Sequence, residues 1–277
     1  MLDFSARERR LQALAKIHGR RKHWRDMRLP GLLEFARKVS PFPLYEWQEQ
    51  FLGEPAKKEL LIASRQSGKS YTAALLSLYD ALSKPASLTL CVAPTLRQSM
   101  LLVSHAKGIY ADAMLKGLTT LSIVNDSKTA IELSNYSRLI SLPGSSGATI
   151  RGYSKPNRIL VDEAGYVTNE VLYTVLRPML AVNPEASYMM LGTPNGATGG
   201  FYEASRSKEF NVRKIPATEI PTISSSFLKR ELAALGDELY DQEYFCQFLQ
   251  RHDAVFNAEA IAKTVAHYED QWALDDD

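Results

Sequence analysis

Cysteine is scarce in this sequence, and no stretch of it is apolar over the length of a membrane span. Its 277 residues include two cysteines, Cys91 and Cys246, which are too few for a disulfide framework and lack the spacing of a metal site. We interpret both as packing residues in a reducing cytoplasm. Since no apolar run approaches the roughly 20 residues of a transmembrane helix and no signal peptide opens the chain, we expect no contact with a membrane.

Internal repeats, low-complexity segments and a large net charge are missing as well. The first two absences exclude a repeat architecture and a compositionally biased chain. With 277 residues, of which 45% are hydrophobic, the chain is long enough for one large α/β domain and a small appendage. The net charge of +2 is uninformative by itself, whereas its distribution is informative.

Basic residues are concentrated at the start of the chain, in a predicted helical arm over residues 1–40. They are Arg7, Arg9, Arg10, Lys16, Arg20, Arg21, Lys22, Arg25 and Arg28. At the other end, the chain closes on Asp275-Asp276-Asp277. A basic arm would suit a nucleic acid or an acidic protein surface. A helix whose charged face is simply solvated explains the same residues equally well.

A short apolar run followed by a polar turn occupies residues 60–70, with the sequence Leu60-Leu61-Ile62-Ala63-Ser64-Arg65-Gln66-Ser67-Gly68-Lys69-Ser70. The run predicts a strand buried on both faces, and the spacing from Tyr71 to Leu82 predicts a helix after the turn. A strand, turn and helix joined by Gly-Lys-Ser form a phosphate cradle, because backbone N–H groups and the helix dipole attract anions there. Lys69 would reach the β- and γ-phosphates, and the Ser70 hydroxyl would bind Mg²⁺.

This turn has an alternative interpretation, because Ala63 stands where the strict P-loop pattern has glycine. An ordinary helix start with Ser67 as its N-cap would give the same residues. On the Gly-Lys-Ser turn alone, the two interpretations are about equally good. A second motif further along the chain favours the phosphate cradle.

That second motif is a buried strand that ends on two adjacent carboxylates, Arg158-Ile159-Leu160-Val161-Asp162-Glu163-Ala164. Open α/β sheets bind their ligands at such strand ends. Asp162 would hold the Mg²⁺ shell, and Glu163 would orient and polarise the water that attacks the γ-phosphate of ATP. A solvated acidic strand end is common for a single carboxylate, but the two motifs together favour nucleotide hydrolysis.

Gln48 precedes the turn by about one short helix and stands beside Tyr45 and Trp47. Such a glutamine can pair its amide with the edge of adenine while an aromatic ring or an arginine plane covers the face of the base. A helix that packs Trp47 into the core explains the same residues at least as well.

The remaining pattern alternates strands with helices, which predicts an α/β fold with a mostly parallel sheet. The predicted strands cover residues 87–94, 129–133, 138–142, 188–191 and 212–215, and the predicted helices cover residues 96–115 and 169–180. From about Ser224 onward the pattern is helical, with a break at Gly236. We therefore divide the chain into the arm at 1–40, a core at 41–220, a small helical lid at 221–256 and a tail at 257–277.

The order and spacing of these motifs resemble the ATPase domain of the large terminase subunit, the DNA-packaging motor of tailed double-stranded DNA bacteriophages. The resemblance runs from about Tyr45 to Phe256. The motifs are Trp47-Gln48, a Walker A with Arg65 and without the first glycine, Ala93-Pro94-Thr95, Thr149-Ile150-Arg151-Gly152, Val161-Asp162-Glu163-Ala164, the coupling segment Gly192-Thr193-Pro194, and Glu243-Tyr244 with Phe248-Leu249. The resemblance implies a RecA/ASCE-type P-loop NTPase with helices on both sides of the sheet and a helical lid.

The resemblance also implies roles for individual residues. Catalytic roles fall on Glu163, Arg151, Arg65 and Lys69. Arg65 would stabilise the γ-phosphate charge, Arg151 would act in trans on the ATP of a neighbouring subunit, and Thr193 would couple phosphate loss to lid motion. The implied ATP-binding residues are Trp47, Gln48, Ser64, Arg65, Gln66, Ser67, Gly68, Lys69, Ser70 and Thr193. The implied ligands of Mg²⁺ are Ser70 and Asp162.

The implied activity is ATP-driven translocation of double-stranded DNA into a procapsid in the bacterial cytoplasm. Its partners would be the portal protein at the portal vertex, a small terminase subunit, and further copies of the chain in a ring, for which the family implies a pentamer. DNA contacts would be phosphate-directed, with the basic arm, Arg97 and Lys128 as candidates. Because the acidic cluster of the family's nuclease domain is missing, we expect no DNA cleavage.

Two other functions fit the same motifs. One is a helicase-like DNA-dependent ATPase, which would need further helicase motifs and a second RecA-like domain that the sequence does not contain. The other is a nucleotide-switched DNA-binding or scaffolding subunit with negligible turnover, which the presence of Glu163 argues against. An ATPase assay with and without double-stranded DNA separates the three.

Overall fold

The computed structural model describes residues 29–250 with the exception of residue 182. The strands are β1 (Lys58–Ala63), β2 (Leu88–Ala93), β3 (Ile123–Ser127), β4 (Ala130–Leu133), β5 (Arg138–Pro143), β6 (Arg158–Val161), β7 (Ser187–Gly192) and β8 (Asn211–Ile215). The α-helices are α1 (Leu32–Val39), α2 (Glu46–Gly53), α3 (Lys69–Ser83), α4 (Leu96–Leu115), α5 (Gly147–Arg151), α6 (Arg177–Leu180), α7 (Gly200–Arg206) and α8 (Ser225–Tyr244). A π-helix (Glu170–Leu176) precedes α6, and short 3₁₀ turns cover Ala164–Tyr166 and Ala217–Glu219. Most of the predicted basic arm, the end of the predicted lid and the tail lie outside the described residues.

The strands form one sheet in the order β3-β4-β5-β2-β6-β7-β1-β8. From β5 onward in this spatial order, every pair of neighbouring strands is parallel. The two remaining pairs, β3 with β4 and β4 with β5, are antiparallel. The predicted α/β class with a mostly parallel sheet flanked by helices is therefore confirmed. Within the described residues, no helix is both long and apolar enough to cross a membrane.

The sheet divides the core into two layers, and alternate side chains of β1 belong to different layers. Leu61 and Ala63 pack on the side of α1 to α4, while Leu60 and Ile62 pack on the side of the π-helix and α7. Successive side chains of a strand point to opposite faces, so a strand covered on both sides needs an unbroken apolar run. That requirement explains the sequence pattern before the phosphate turn.

The predicted lid, as far as the structure describes it, contains the helix α8. Gly236 has φ 73° and ψ 167° inside this helix, so the predicted break lies at the predicted residue. The helix packs through Tyr240 and Tyr244 on Ala217, which follows β8. The lid thus extends from the edge of the sheet that carries β1 and β8.

The carboxyl ends of three neighbouring strands meet at one edge of the sheet. The strands β6, β7 and β1 are adjacent and parallel, so the segments that follow them come together. The phosphate turn (residues 64–70) follows β1, the acidic turn (residues 162–167) follows β6, and the connecting loop (residues 193–197) follows β7. These three segments and the lid define the candidate site.

Candidate functional site

The phosphate turn connects β1 to α3 through two residues with left-handed backbone conformations. Gln66 has φ 60° and Gly68 has φ 81°. The positive φ of Gly68 favours glycine, and a Cβ added there would lie 2.9 Å from Gln48 Nε2 and displace that amide. Gly68 itself is the N-cap of α3 and supplies no capping side chain. The alternative in which Ser67 caps the helix is therefore wrong, and no side chain of the described residues caps the first N–H groups of α3.

Two hydroxyls of this turn, those of Ser64 and Ser67, are buried and have no hydrogen-bond partner among the described residues. An unpaired buried hydroxyl costs roughly 1–3 kcal/mol, so it calls for an explanation. Together with the uncapped helix start, these hydroxyls leave donors available around the turn. A bound phosphate group, with its waters, fits such a cradle.

Ser70 and Asp162 bring the two sequence motifs into direct contact. The Ser70 hydroxyl donates to Asp162 Oδ2 at 2.9 Å. Burial, reinforced by the neighbouring Glu163, raises the pKa of Asp162 to about 6. Both groups supply hard oxygen atoms, which are the ligands that Mg²⁺ prefers. A divalent cation at this position would stabilise the charged form of the buried carboxylate.

No group of three or more His, Cys, Asp or Glu side chains forms a metal cluster in the part of the chain that the structure describes. Mg²⁺ does not need such a cluster, because it retains several waters and usually binds one or two protein ligands together with substrate phosphates. The pair Ser70 and Asp162 thus fits Mg²⁺ bound with a nucleotide better than a metal held by protein alone.

Glu163 takes a left-handed backbone conformation, with φ 49° and ψ 45°. Its carboxylate Oε1 lies 3.5 Å from Lys69 Nζ, and the Lys69 side chain is 9% exposed whereas that of Glu163 is 29% exposed. A left-handed residue other than glycine is unusual and costs about 1 kcal/mol or more. The turn therefore places the carboxylate beside the lysine of the phosphate turn at an energetic cost that its surroundings must offset.

Both the oxygen and the nitrogen of the Gln48 side-chain amide are hydrogen-bonded within the protein. Its Oε1 accepts from the backbone N–H of Tyr45 at 2.8 Å, and its Nε2 donates to Thr72 Oγ1 at 2.7 Å. Trp47 is buried in the core on the α1–α4 side of the sheet, as the packing alternative predicted. The adenine contact stays a prediction for both residues. Tyr45, which the sequence marked only as an aromatic neighbour of Gln48, hydrogen-bonds the Thr222 hydroxyl at 2.8 Å and so joins the site to the lid.

Arg65 lies on the lid side of the phosphate turn. Its Nε donates to Glu243 Oε2 at 2.5 Å. The prediction placed Arg65 at the γ-phosphate, and the structure adds a carboxylate that competes for the same guanidinium. Nothing in the local sequence around Arg65 indicates Glu243, which lies 178 residues away along the chain.

Arg151 and Thr193 follow two different strands at the same edge. Arg151 is exposed at the end of α5 and has no ion pair among the described residues. Thr193 is buried at the start of the connecting loop. The next residues of that loop bind the lid, since Gly196 N–H donates to Gln242 Oε1 at 3.1 Å. The structure thus brings Lys69, Ser70, Asp162 and Glu163 together and leaves Arg151 at the surface.

A comparison with protein families finds a match that covers most of the described chain. The family model of the N-terminal part of the T4-like-virus-type large terminase subunit matches residues 60–263. A search of curated proteins finds no match. The matched region includes the phosphate turn, the acidic turn, the connecting loop and the lid.

Solved structures with the same fold come from several bacteriophage large terminases. The ATPase domain of the Thermus phage P74-26 large terminase has a TM-score of 0.65 at 17% identity, covering 78% of this chain and 98% of that one. The large terminase of a thermophilic bacteriophage, solved in complex with ADP, gives 0.58 at 12% identity, covering 79% and 52%. The HK97 large terminase gives 0.56 at 16% identity, covering 78% and 50%. At these identities the similarity establishes the fold, and the chain spans about half of the last two proteins.

Proposed function

The chain belongs to the family of T4-like-virus-type large terminase subunits, whose N-terminal model matches residues 60–263, and from that membership we propose that it hydrolyses ATP to move double-stranded DNA into a viral procapsid. The observation that carries the proposal is the convergence of two motifs. Ser70 and Asp162 are hydrogen-bonded at 2.9 Å, and Lys69 and Glu163 lie 3.5 Å apart. In P-loop NTPases a lysine binds the phosphates, a serine or threonine and an aspartate hold Mg²⁺, and a further polar side chain orients the attacking water.

The proposed reaction is an in-line attack of water on the γ-phosphorus of ATP. The water oxygen forms a bond to phosphorus, the bond from phosphorus to the bridging oxygen of ADP breaks, and Glu163 takes the proton of the water. Lys69 stabilises negative charge on the β- and γ-phosphates. Ser70 and Asp162 would hold Mg²⁺, which supplies further positive charge to the phosphate oxygens when bound. Structures of the large terminase from the thermophilic bacteriophage with ADP and with ATP-γ-S support binding of a nucleotide by this fold.

Polar contacts hold Asp162 and Ser70 in defined positions, and near-complete burial restricts Lys69. The Asp162 carboxylate accepts from the Ser70 hydroxyl and from the Glu163 backbone N–H, the latter at 3.0 Å. Lys69 is nearly buried and therefore interacts with charge across a medium of lower dielectric than water. Such preorganisation stabilises charge in a transition state without a reorganisation cost at the moment of reaction.

The DNA and protein partners form the second part of the proposal. We propose that DNA binds through its phosphates, with Arg97 and Lys128 as contacts because both are exposed on the described surface. A motor that moves any sequence gains nothing from base contacts. On the support of the family membership, we also propose the portal, a small terminase subunit and a ring of identical subunits at the portal vertex as partners. Binding to DNA should weaken steeply with salt.

Steady-state ATP hydrolysis, measured with and without double-stranded DNA, tests the proposal. The wild-type chain should release phosphate in the presence of Mg²⁺, and DNA should change the rate. Lys69→Ala should abolish turnover while its circular dichroism spectrum stays that of the wild type. The matched control is Lys84→Ala, at the opposite end of α3 from Lys69, which should keep its turnover. Phosphate release by folded Lys69→Ala at the wild-type rate would refute the role of the phosphate turn.

A further inference from the structure

Two glycines pack the acidic turn closely against the end of β7 and the connecting loop that follows it. A Cβ at Gly192 would lie 3.3 Å from Glu163 Cα and 3.2 Å from the Ala164 nitrogen. In the opposite direction, a Cβ at Gly165 would lie 3.1 Å from the Thr193 carbonyl oxygen. All three distances are tighter than ordinary van der Waals contact, so each backbone touches the other where a side chain would stand. A shift of one segment is therefore transmitted to the other.

Asn195 adds a directional bond to this packing. Its side-chain Nδ2 donates to the Gly165 carbonyl oxygen at 3.0 Å. Gly165 follows Glu163 by two residues, so the bond fixes the turn from the side of the connecting loop. The turn also closes on itself, since Tyr166 N–H donates to the Glu163 carbonyl at 2.9 Å. That internal bond lies within the acidic turn, whereas the Asn195 bond connects the acidic turn to the connecting loop.

The connecting loop is bound in turn to the lid. Gln242 Oε1, on α8, accepts from the Gly196 N–H at 3.1 Å. The Ala197 N–H donates to the Leu249 carbonyl at 2.7 Å, which fixes the loop to the chain just after α8. Gln242 is also the residue before Glu243, the partner of Arg65. One turn of the lid helix thus contacts both the connecting loop and the phosphate turn.

We propose that Asn195 and Gln242 are positioning residues that link the lid to the backbone of Glu163. The proposal rests on the ATP hydrolysis proposed above. The left-handed conformation of Glu163 is costly for a residue with a side chain, so neighbouring contacts must hold it. The Asn195 bond is one such contact, and Gln242 ties the loop that carries Asn195 to the lid. The position of the lid therefore sets the position of the proposed catalytic carboxylate.

Asn195 donates its hydrogen bond, whereas Gln242 accepts one. Substitutions that remove only a donor or only an acceptor therefore distinguish the two residues. Asn195 acts as a donor, so the isosteric Asn195→Asp loses the bond and places a carboxylate against a carbonyl oxygen. Gln242 acts as an acceptor, so Gln242→Glu keeps the bond while Gln242→Ala loses it. We expect kcat to fall about tenfold in Asn195→Asp, Asn195→Ala and Gln242→Ala, with KM for ATP within about twofold of wild type. Gln242→Glu should keep a kcat close to that of the wild type.

The chain offers a matched control for the loss of an asparagine bond. Asn183 Nδ2 donates to the Pro156 carbonyl at 3.1 Å, near the opposite end of the sheet. Asn183→Ala removes the same kind of bond as Asn195→Ala and should leave kcat unchanged. If Asn183→Ala lowers kcat as much as Asn195→Ala, or if Asn195→Asp and Gln242→Glu behave alike, the positioning role is overturned.

A second measurement tests the link without any turnover. Spin labels at Ala234→Cys on the lid and Ser104→Cys on α4 report the lid-to-core distance in the nucleotide-free protein, and both positions are exposed while Cys91 and Cys246 are buried. Gln242→Ala should broaden the distance distribution, whereas Gln242→Glu and Asn183→Ala should not. An unchanged distribution in Gln242→Ala would overturn the link. A wild-type chain that hydrolyses no ATP would refute the proposed function and still leave this distance test valid.

Discussion

The guanidinium of Arg65 and the carboxylate of Glu243 lie 2.5 Å apart, so the lid binds the arginine of the phosphate turn. The Arg65 side chain is 63% exposed and that of Glu243 is 16% exposed. An arginine that leaves this partner has space to reorient, whereas the glutamate is held by the lid. Arg65 cannot form this close pair and bind a γ-phosphate with the same donors at the same time, so a nucleotide bound as predicted would compete with the lid for Arg65.

Glu243→Gln should therefore increase the affinity for ATP. The amide binds the guanidinium more weakly than the carboxylate, so less interaction must be lost when Arg65 turns to the phosphate. We expect a severalfold decrease in Kd, measured by anisotropy of a fluorescent ATP analogue, and no effect of the substitution in an Arg65→Ala background. Asp237→Asn, on the same helix, is the control. An equal change in Kd with and without Arg65 would show that Glu243 acts through something else.

Glu163→Gln should separate nucleotide binding from turnover. The amide keeps the shape of the side chain but cannot accept the proton of the attacking water, so kcat should fall by about 100-fold or more. The Kd for ATP should stay close to that of the wild type, because the ground state is bound mainly by the phosphate turn. Both values come from single-turnover hydrolysis and equilibrium binding on the same preparation. A loss of affinity as large as the loss of rate would instead make Glu163 a structural residue.

The ion pair between Asp80 and Arg158 joins α3 and β6 at the ends that lie away from the candidate site. Asp80 lies near the end of α3, which begins at Lys69, and Arg158 begins β6, which leads to Asp162. Their shortest contact is 2.7 Å, and both side chains are buried. Burial raises the pKa of Asp80, but the positive charges of Arg158 and Lys84 outweigh it and hold the pKa below its ordinary value.

Asp80→Ala should destabilise the protein by about 3–5 kcal/mol at pH 7, because Arg158 then stays buried without a partner. A carboxylate with a lowered folded-state pKa contributes stability above its unfolded pKa, which is about 3.9, and loses it as the pH falls through the folded value. The difference between wild type and variant should therefore shrink in urea titrations below about pH 4. Asp126→Ala, which removes an exposed partner of Lys107, is the control and should change stability little. A difference that does not vary with pH would rule out this linkage.

Local sequence patterns were sufficient to predict elements whose apolar residues recur regularly and whose start is marked by a capping residue. The helix α4 has the bounds that the apolar spacing predicts, and Thr95 accepts from the Gln98 N–H as its N-cap. The strand β3 was not predicted, because four of its five residues are exposed and the strand has no alternation of apolar and polar side chains. The helix predicted at residues 169–180 exists, but its π-helical part, Glu170–Leu176, could not be predicted from spacing alone.

In the candidate site too, the sequence predicts some residues and not others. Lys69, Ser70, Asp162 and Glu163 could be predicted, because each stands in a short motif at the end of a buried strand, and parallel neighbouring strands bring such ends together. Glu243, Asn195 and Gln242 could not be assigned contacts, since these depend on how the lid folds back over the sheet. No periodicity encodes a contact such as that of Arg65 with a residue 178 positions away.

The strand that leads to Arg151 is separated from the strand that leads to the phosphate turn by three other strands. The helix α5, which ends at Arg151, follows β5, and β2, β6 and β7 lie between β5 and β1. At about 4.8 Å per strand, the ends of β5 and β1 are about 19 Å apart. Arg151 is exposed and has no ion pair within the described residues. This placement supports the action in trans, on the ATP of a neighbouring subunit, that the family resemblance implies for Arg151.

Arg151→Ala should therefore reduce kcat and leave the Kd for ATP nearly unchanged, because charge on the γ-phosphate grows in the transition state. An arginine supplied in trans contributes a factor of about 10³ or more in related phosphoryl transfer reactions. Specific activity of the wild type should also rise with protein concentration, measured as phosphate release per subunit. Arg138→Ala is the control, since it removes an exposed arginine from the start of β5.

Mixing two inactive variants separates action in trans from action in cis. An Arg151→Ala subunit keeps an intact ATP site, and a Glu163→Gln subunit keeps an intact arginine. Where the first receives the arginine of the second, one complete site forms, so a mixture should be more active than either variant alone. The mixture is measured at concentrations where light scattering shows that both variants assemble. Assembly without recovery of activity would place Arg151 in a cis or structural role, because a subunit that supplies its own arginine gains nothing from its neighbour.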